Sequence, residues 1–176
     1  MTAVAAPPQV VVGAVVFTDI VGFTEYTAIE GDVRALELLT LQERLVQEAL
    51  PEGARLVKEL GDGLMLWFPD AVAAVAAALG LQARFDLESE KLMVPLWVRM
   101  GMHWGHQTRR RDDLVGHDVN IASRIVNVAA PGEVLVSEAT VDAIGTRDSG
   151  AQFDEIGPVV MKGIPEPVRL FRATPD

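Results

Sequence analysis

Two spacings of apolar residues alternate along the chain, and their order predicts its architecture. Val10 to Thr18 is rich in valine and reads as a buried strand, with Gly13 a candidate bulge. Beyond Asp19 the spacing becomes helical: Leu36, Leu39, Leu45 and Leu50 recur over Val33 to Leu50, and Pro51 ends the helix. Ala54 to Leu60 and Leu64 to Phe68 read as a hairpin joined by Gly61-Asp62-Gly63, residue types that accept positive φ. Asp70 is placed to cap an alanine-rich helix reaching about Glu90. Leu96 to His103 is a further strand, Arg109 to Asp113 a charged loop, and Val119 to Val128 a helix that stops before Pro131-Gly132. Glu133 to Val136 is a short strand, and Ser137 caps a short helix from Glu138 to Ile144. Three short strands follow, around Phe153 to Ile156, Val159 to Met161 and Val168 to Arg172. This succession predicts an α+β sandwich with helices on one face of a largely antiparallel sheet. Residues 1–8, small and proline-rich, read as a flexible arm before a single domain over 9–174.

Composition narrows the function classes. With 25 acidic against 15 basic residues the chain carries a formal charge of −10, so most of its surface repels a nucleic-acid backbone. The absence of cysteine removes disulfides, thiolate zinc sites and cysteine nucleophiles. The most apolar run, Ala71 to Leu81, falls far short of the roughly 20 residues a membrane span needs. The N-terminus lacks basic residues and carries Pro7-Pro8, unlike a signal peptide, so a cytoplasmic protein is expected. The basic residues are twelve arginines and only three lysines, Lys58, Lys91 and Lys162.

Three segments place glycine beside acidic residues where strands end. In Phe17-Thr18-Asp19-Ile20-Val21-Gly22-Phe23-Thr24 an aspartate closes a strand and a glycine opens a helix. That arrangement suits a metal-bound triphosphate: the carboxylate takes the metal and free helix amides meet phosphate oxygens. Standing alone, Asp19 and Thr24 serve as well for helix caps. In Lys58-Glu59-Leu60-Gly61-Asp62-Gly63 the hairpin-tip Asp62 is by itself a turn residue. Beside Asp19 it would make a carboxylate pair that repels unless a cation lies between, the donor set of two-metal phosphoryl transfer. Lys58, about 13 Å along an extended strand from Asp62, is badly placed to serve the same metal site, and a surface ion pair with Glu59 or Glu52 is its plain alternative. In the third segment, Asp113 to Arg124, Asn120 and Arg124 lie four apart and share a helix face. Arginine suits a phosphate and asparagine a sugar hydroxyl, although a routine polar face fits the spacing too. His103, His106 and His117 lack the spacing of a zinc site, and the Arg109–Arg111 run reads as a solvated loop or interface patch.

Taken together these segments resemble the class III adenylyl/guanylyl cyclase catalytic domain over about residues 10–173. The carrying motifs are Phe17 to Thr24, Lys58-x-x-Gly61-Asp62-Gly63, Asp113-x-x-Gly116-x-x-Val119-Asn120-x-Ala122-x-Arg124, and Met161-Lys162-Gly163 followed by Pro167 to Phe171. The resemblance implies a ferredoxin-like, palm-like α+β fold and a head-to-tail homodimer with two composite sites. It implies that Asp19 and Asp62, with the Ile20 carbonyl, hold two Mg²⁺ or Mn²⁺ ions. Amides near Gly22, Phe23 and Thr24, together with Lys162, would contact the triphosphate. Lys58 and Asp113 of the other protomer would read the purine, Asn120 orient the ribose, and Arg124 stabilise charge on the α-phosphate. A lysine donates to adenine N1 and an aspartate accepts from its amine, whereas guanine presents the reverse pattern, so this pair implies ATP as substrate. The implied reaction forms 3′,5′-cyclic AMP and pyrophosphate, carried out either by a stand-alone catalytic chain or with a regulatory domain or protein that the sequence does not identify. A guanylyl or dual-purine cyclase and a catalytically silent nucleotide-binding module are the alternatives.

Overall fold

A computed structural model describes residues 4–176. Of the predicted N-terminal arm, residues 1–3 lie outside the described residues, while residues 4–9 are exposed and belong to no element. The elements in chain order are β1 (Val10–Ile20), α1 (Phe23–Glu30), α2 (Asp32–Ala49), β2 (Arg55–Leu60), β3 (Gly63–Phe68), α3 (Ala71–Leu92) and β4 (Val98–Arg110), then β5 (Asp113–Val115), α4 (His117–Val128), β6 (Val134–Ser137), α5 (Glu138–Ile144), β7 (Ala151–Val159) and β8 (Val168–Pro175). The strands form one sheet in the order β2-β3-β1-β4-β6-β8-β7, with β5 paired to β4. Among the described residues, only β4 and β6 run parallel.

The valine-rich β1 is central, flanked by β3 and β4, and its residues are buried on both faces. Its alternate residues Ala14, Val16 and Ile20 pack with α2 and α3, against Leu45, Val46, Val75, Leu81 and Phe85. Val15 and Phe17 face the other way and pack with Met65, Leu114, Val119, Ala122 and Val126. The helices therefore cover both faces, correcting the one-face expectation: α4 lies opposite α2 and α3. A helix's apolar spacing reports that it has a buried stripe and not which face of the sheet receives it.

Two glycines of β4 bring α4 unusually near. A Cβ on Gly101 would overlap the backbone of Val126, and one on Gly105 would overlap the Asp118 carboxylate. Gly13 is no bulge, since β1 runs in unbroken register with β4; its missing side chain admits the Trp67 indole. The irregularity lies instead in β2, between Leu56 and Lys58.

Other differences have local causes. Leu36 is 64% exposed, and the buried face of α2 is Ala35, Leu38, Gln42, Leu45 and Val46. The Arg109–Asp113 run is a hairpin rather than a loop: Arg109 pairs Leu114 and Arg110 pairs Asp113 around Arg111-Asp112. The tail contains two strands where three were expected, because β7 continues through a register shift between Glu155 and Gly157. β7 is an edge strand, where Pro158 removes no needed donor. Both predicted caps are formed, with Asp70 accepting from the Ala73 amide at 2.9 Å and Ser137 from the Thr140 amide. No helix among the described residues is long and apolar enough to cross a membrane.

Candidate active site

Asp19 stands near the end of β1, in register with Gly63 on one side and Arg99 on the other. A Cβ on Gly63 would overlap the Thr18 carbonyl, so only glycine lets β3 start this close to β1. That approach brings the tip residue Asp62 beside Asp19. The hairpin tip is fixed from behind by a buried network: Thr18 Oγ1 donates to Gln42 Oε1 (2.9 Å) and accepts from the Leu64 amide (3.0 Å), and Gln42 Nε2 donates to the Asp62 carbonyl (3.3 Å). Burial first, then the contact and charge of Asp19, push the Asp62 carboxyl up from 3.8 to about 6. Asp19 is balanced by Arg99, whose Nε and a terminal nitrogen both meet Asp19 Oδ2, at 2.8 and 2.7 Å.

Two carboxylates pressed together, one resisting ionisation, are a donor set that a divalent cation would relieve. Among the described residues no cluster of three or more His, Cys, Asp or Glu could hold a metal. The protein thus offers an open pair, of the kind that binds Mg²⁺ through one or two carboxylates with a phosphate ligand completing the shell. Ile20 is buried in the core that packs against α2 and α3.

Immediately beyond, Gly22 opens α1 in the left-handed region (φ 74°), and no side chain caps the helix. Neither Asp19 nor Thr24 therefore caps α1. The first intrahelical bond runs from the Tyr26 amide to the Gly22 carbonyl at 3.0 Å, so the amides of Gly22, Phe23 and Thr24 precede the helix's own bonding. They follow Asp19 by three to five residues at the open end of α1 and suit phosphate oxygens.

Lys58 and Asp113, 55 residues apart, meet with Lys58 Nζ 2.9 Å from Asp113 Oδ2. This contact replaces the surface pairing to Glu59 or Glu52 open to Lys58 in the sequence. Burial favours the protonated Asp113 carboxyl, but the Lys58 ammonium, the Leu114 amide and Arg110 outweigh it and hold its pKa below the usual value. Arg55, also on β2, donates to the Asp112 carbonyl at 3.0 Å and ties the β4–β5 turn to the same strand. Val57, Lys58 and residues 110–113 line an open depression of about 360 Å³.

Asn120 is exposed and Arg124 half-buried on α4, while Lys162 is exposed in the turn after β7. Among the described residues, their side chains form no ion pair or hydrogen bond with Asp19, Asp62, Lys58 or Asp113. One chain thus brings together the carboxylates with the α1 amides, and separately Lys58 with Asp113. It does not join Asn120, Arg124 or Lys162 to either pair.

Sequence reasoning missed four residues that support this site. Arg99 joins Asp19 to the end of α4, donating also to the carbonyls of Asn127 and Ala129 at 3.2 and 3.3 Å. Its position opposite Asp19 follows only from strand register. Thr18 and Gln42 were detectable as polar residues on faces otherwise apolar. Asp118, next to the charged run, showed no signal beyond an ordinary first-turn acid.

The geometry accords with the known proteins this chain resembles. The family described as the adenylate and guanylate cyclase catalytic domain matches residues 6–172. A pH-sensitive adenylate cyclase of Mycobacterium tuberculosis is 34% identical over 163 residues, covering 90% of this chain and 39% of the relative. An adenylate cyclase of Streptomyces coelicolor is 36% identical over 140 residues, covering 78% of this chain and 36% of the relative. The chain therefore spans about two fifths of the length of these relatives. Among solved structures, the adenylyl cyclase CyaB of P. aeruginosa superposes with a TM-score of 0.87 at 25% identity, covering 97% of each chain. The guanylyl cyclase Cya2 superposes with a TM-score of 0.77 at 20% identity, covering 96% of this chain and 94% of its own. The fold is thus shared by proteins named for either purine.

Proposed function

This chain belongs to the adenylate and guanylate cyclase catalytic-domain family, class III, and from that premise we propose that it converts ATP to 3′,5′-cyclic AMP and pyrophosphate at sites shared between two copies. The single observation that carries the purine choice is the 2.9 Å contact between Lys58 and Asp113. Side by side, they offer one donor and one acceptor to the Watson–Crick edge of a base. Adenine presents the complement, an N1 acceptor and an amine donor; guanine presents a donor at N1 and an acceptor at O6. A buried donor or acceptor left unmatched by the wrong base discriminates by about 10⁴ or more where the pocket is fully formed.

The division between copies is supported by what one chain leaves apart. Asp19 and Asp62 sit with the α1 amides, while the residues suited to base, ribose and α-phosphate lie elsewhere on the chain. In a head-to-tail pair, one copy contributes Asp19, Asp62, the Ile20 carbonyl and the amides of Gly22, Phe23 and Thr24. The second contributes Lys58 and Asp113 for the purine, Asn120 for the ribose, and Arg124 for charge on the α-phosphate. Lys162 adds a cation for the triphosphate. Mg²⁺ or Mn²⁺, two ions per site, would be held by Asp19 and Asp62 and would supply Lewis-acid activation of the ribose 3′-oxygen and neutralisation of the leaving pyrophosphate. The chain's own part is to align the 3′-oxygen with the α-phosphorus and to meet the developing negative charge with Arg124. A net charge of −10 is no obstacle, because cations at the carboxylate pair would invert the local sign.

The test is product formation from ATP and from GTP in parallel with Mn²⁺. Cyclic AMP forming from ATP faster than cyclic GMP from GTP is expected. Equal rates would refute the assignment to Lys58 and Asp113, and binding of ATP without pyrophosphate release would make the chain a silent nucleotide-binding module.

A further inference from the structure

A buried polar chain that the proposed chemistry does not use runs from α5 through β4 to α4. The Trp104 amide donates to Thr140 Oγ1 at 3.1 Å, and Thr140 Oγ1 lies 3.2 Å from Ser137 Oγ. Ser137 Oγ lies 2.7 Å from His103 Nδ1, and His103 Nε2 lies 3.2 Å from Asp118 Oδ1. The other Asp118 oxygen accepts from the His106 amide at 2.7 Å.

Paired with the Asp118 carboxylate, a neutral His103 carries its proton on Nε2 and donates it to Asp118. His103 Nδ1 then accepts the Ser137 proton, which leaves Ser137 Oγ free to accept from Thr140. Burial lowers the His103 pKa, and the nearby His117 of α4 acts in the same direction, while Asp118 opposes them. His103 and Ser137 are 7% and 1% exposed, so water does not compete for these bonds.

Asp118 occupies the first turn of α4 and is seated where only Gly105 leaves room. Asn120 follows two residues later and Arg124 six. We propose that His103 and Asp118 are positioning residues, fastening the start of α4 to β4 and thereby setting where Asn120 and Arg124 stand in the composite site. This rests on the proposed cyclase reaction for its kinetic consequence, while the fastening itself is testable without it. Because Arg124 meets charge that develops during reaction, a displaced α4 lowers kcat more than it raises KM.

The experiment compares the full chain with its Asp118→Ala and Asp118→Asn variants, using Mn²⁺-ATP as substrate. Asparagine still accepts from the His106 amide, and its amide proton satisfies His103 Nε2 when the hydroxyl chain reverses. Asp118→Ala is expected to lower kcat by about 10- to 100-fold with KM changed less than about threefold, and Asp118→Asn to recover most of the rate. Hydrogen exchange supplies a readout independent of turnover: the His106 amide and the first turn of α4 exchange at least about tenfold faster in Asp118→Ala than in wild type. Wild-type kcat in a folded Asp118→Ala variant would overturn the proposal. So would unchanged exchange at His106 and α4. A wild-type protein that forms no cyclic nucleotide would refute the cyclase reading, and the exchange comparison would still decide whether Asp118 fastens α4.

Discussion

Replacing Asp62 by asparagine is expected to stabilise the metal-free protein at neutral and alkaline pH. The side chain keeps its size, and the Gln42 bond to the residue 62 carbonyl is unaffected, so the change removes charge and little else. In the folded protein the Asp62 carboxyl is raised from 3.8 to about 6 by burial and by Asp19. A raised carboxylate binds its proton more tightly when folded than when unfolded, so stability falls as pH climbs from about 4 to about 6 and the full penalty persists above that. A shift of roughly two units corresponds to about 3 kcal/mol. Asp62 is partly open to solvent, and screening reduces this to roughly 1–1.5 kcal/mol. For a chain of this length that is a gain in Tm of about 3–5 °C for Asp62→Asn. The assay is thermal unfolding of both proteins in chelator, at about pH 8 and about pH 4. The gain should be present at the higher pH and absent at the lower, and Mn²⁺ should raise the Tm of wild type much more than that of the variant. An equal gain at both pH values, or none at about pH 8, would refute the carboxylate-pair reasoning.

Three further outcomes follow from the geometry. Lys58→Glu combined with Asp113→Cys should move the preference from ATP towards GTP, measured by chromatographic product ratio; unchanged selectivity would remove the purine assignment. Thr18→Val leaves the Gln42 carbonyl oxygen and the Leu64 amide without their partner and should cost about 1–3 kcal/mol, a fall in Tm of several degrees by calorimetry. Gly101→Ala forces a Cβ into the Val126 backbone and should cost about 1–3 kcal/mol or more, with turnover lost out of proportion because α4 carries Arg124.

The sequence made the carboxylate end of the site legible because two local signals converge there. A strand ending in aspartate and a hairpin tipped by aspartate need only pair in register to bring Asp19 and Asp62 together. The Lys58–Asp113 contact was legible only through the family resemblance. It joins residues 55 apart through the meeting of β2 with the β4–β5 hairpin, and no spacing rule reports that. The hairpin itself was hidden because Arg109 to Asp113 lacks the apolar alternation by which strands announce themselves. Gly157-Pro158 looked like a break in the tail, yet an edge strand tolerates both residues. Arg99 escaped notice and His103 was weighed only as a metal ligand for a shared reason: each acts through a partner on another element, and strand register with helix placement decides who that partner is.

If each active site is assembled from two copies of the chain, two inactive variants can restore one another. Asp19→Ala and Arg124→Ala are each expected to be inactive alone, since each variant spoils both sites of its own dimer. Mixed, they form heterodimers in which one site contains both defects and the other contains neither. Cyclic AMP formation is expected to return on mixing. No recovery despite demonstrated exchange of subunits would contradict assembly from two copies.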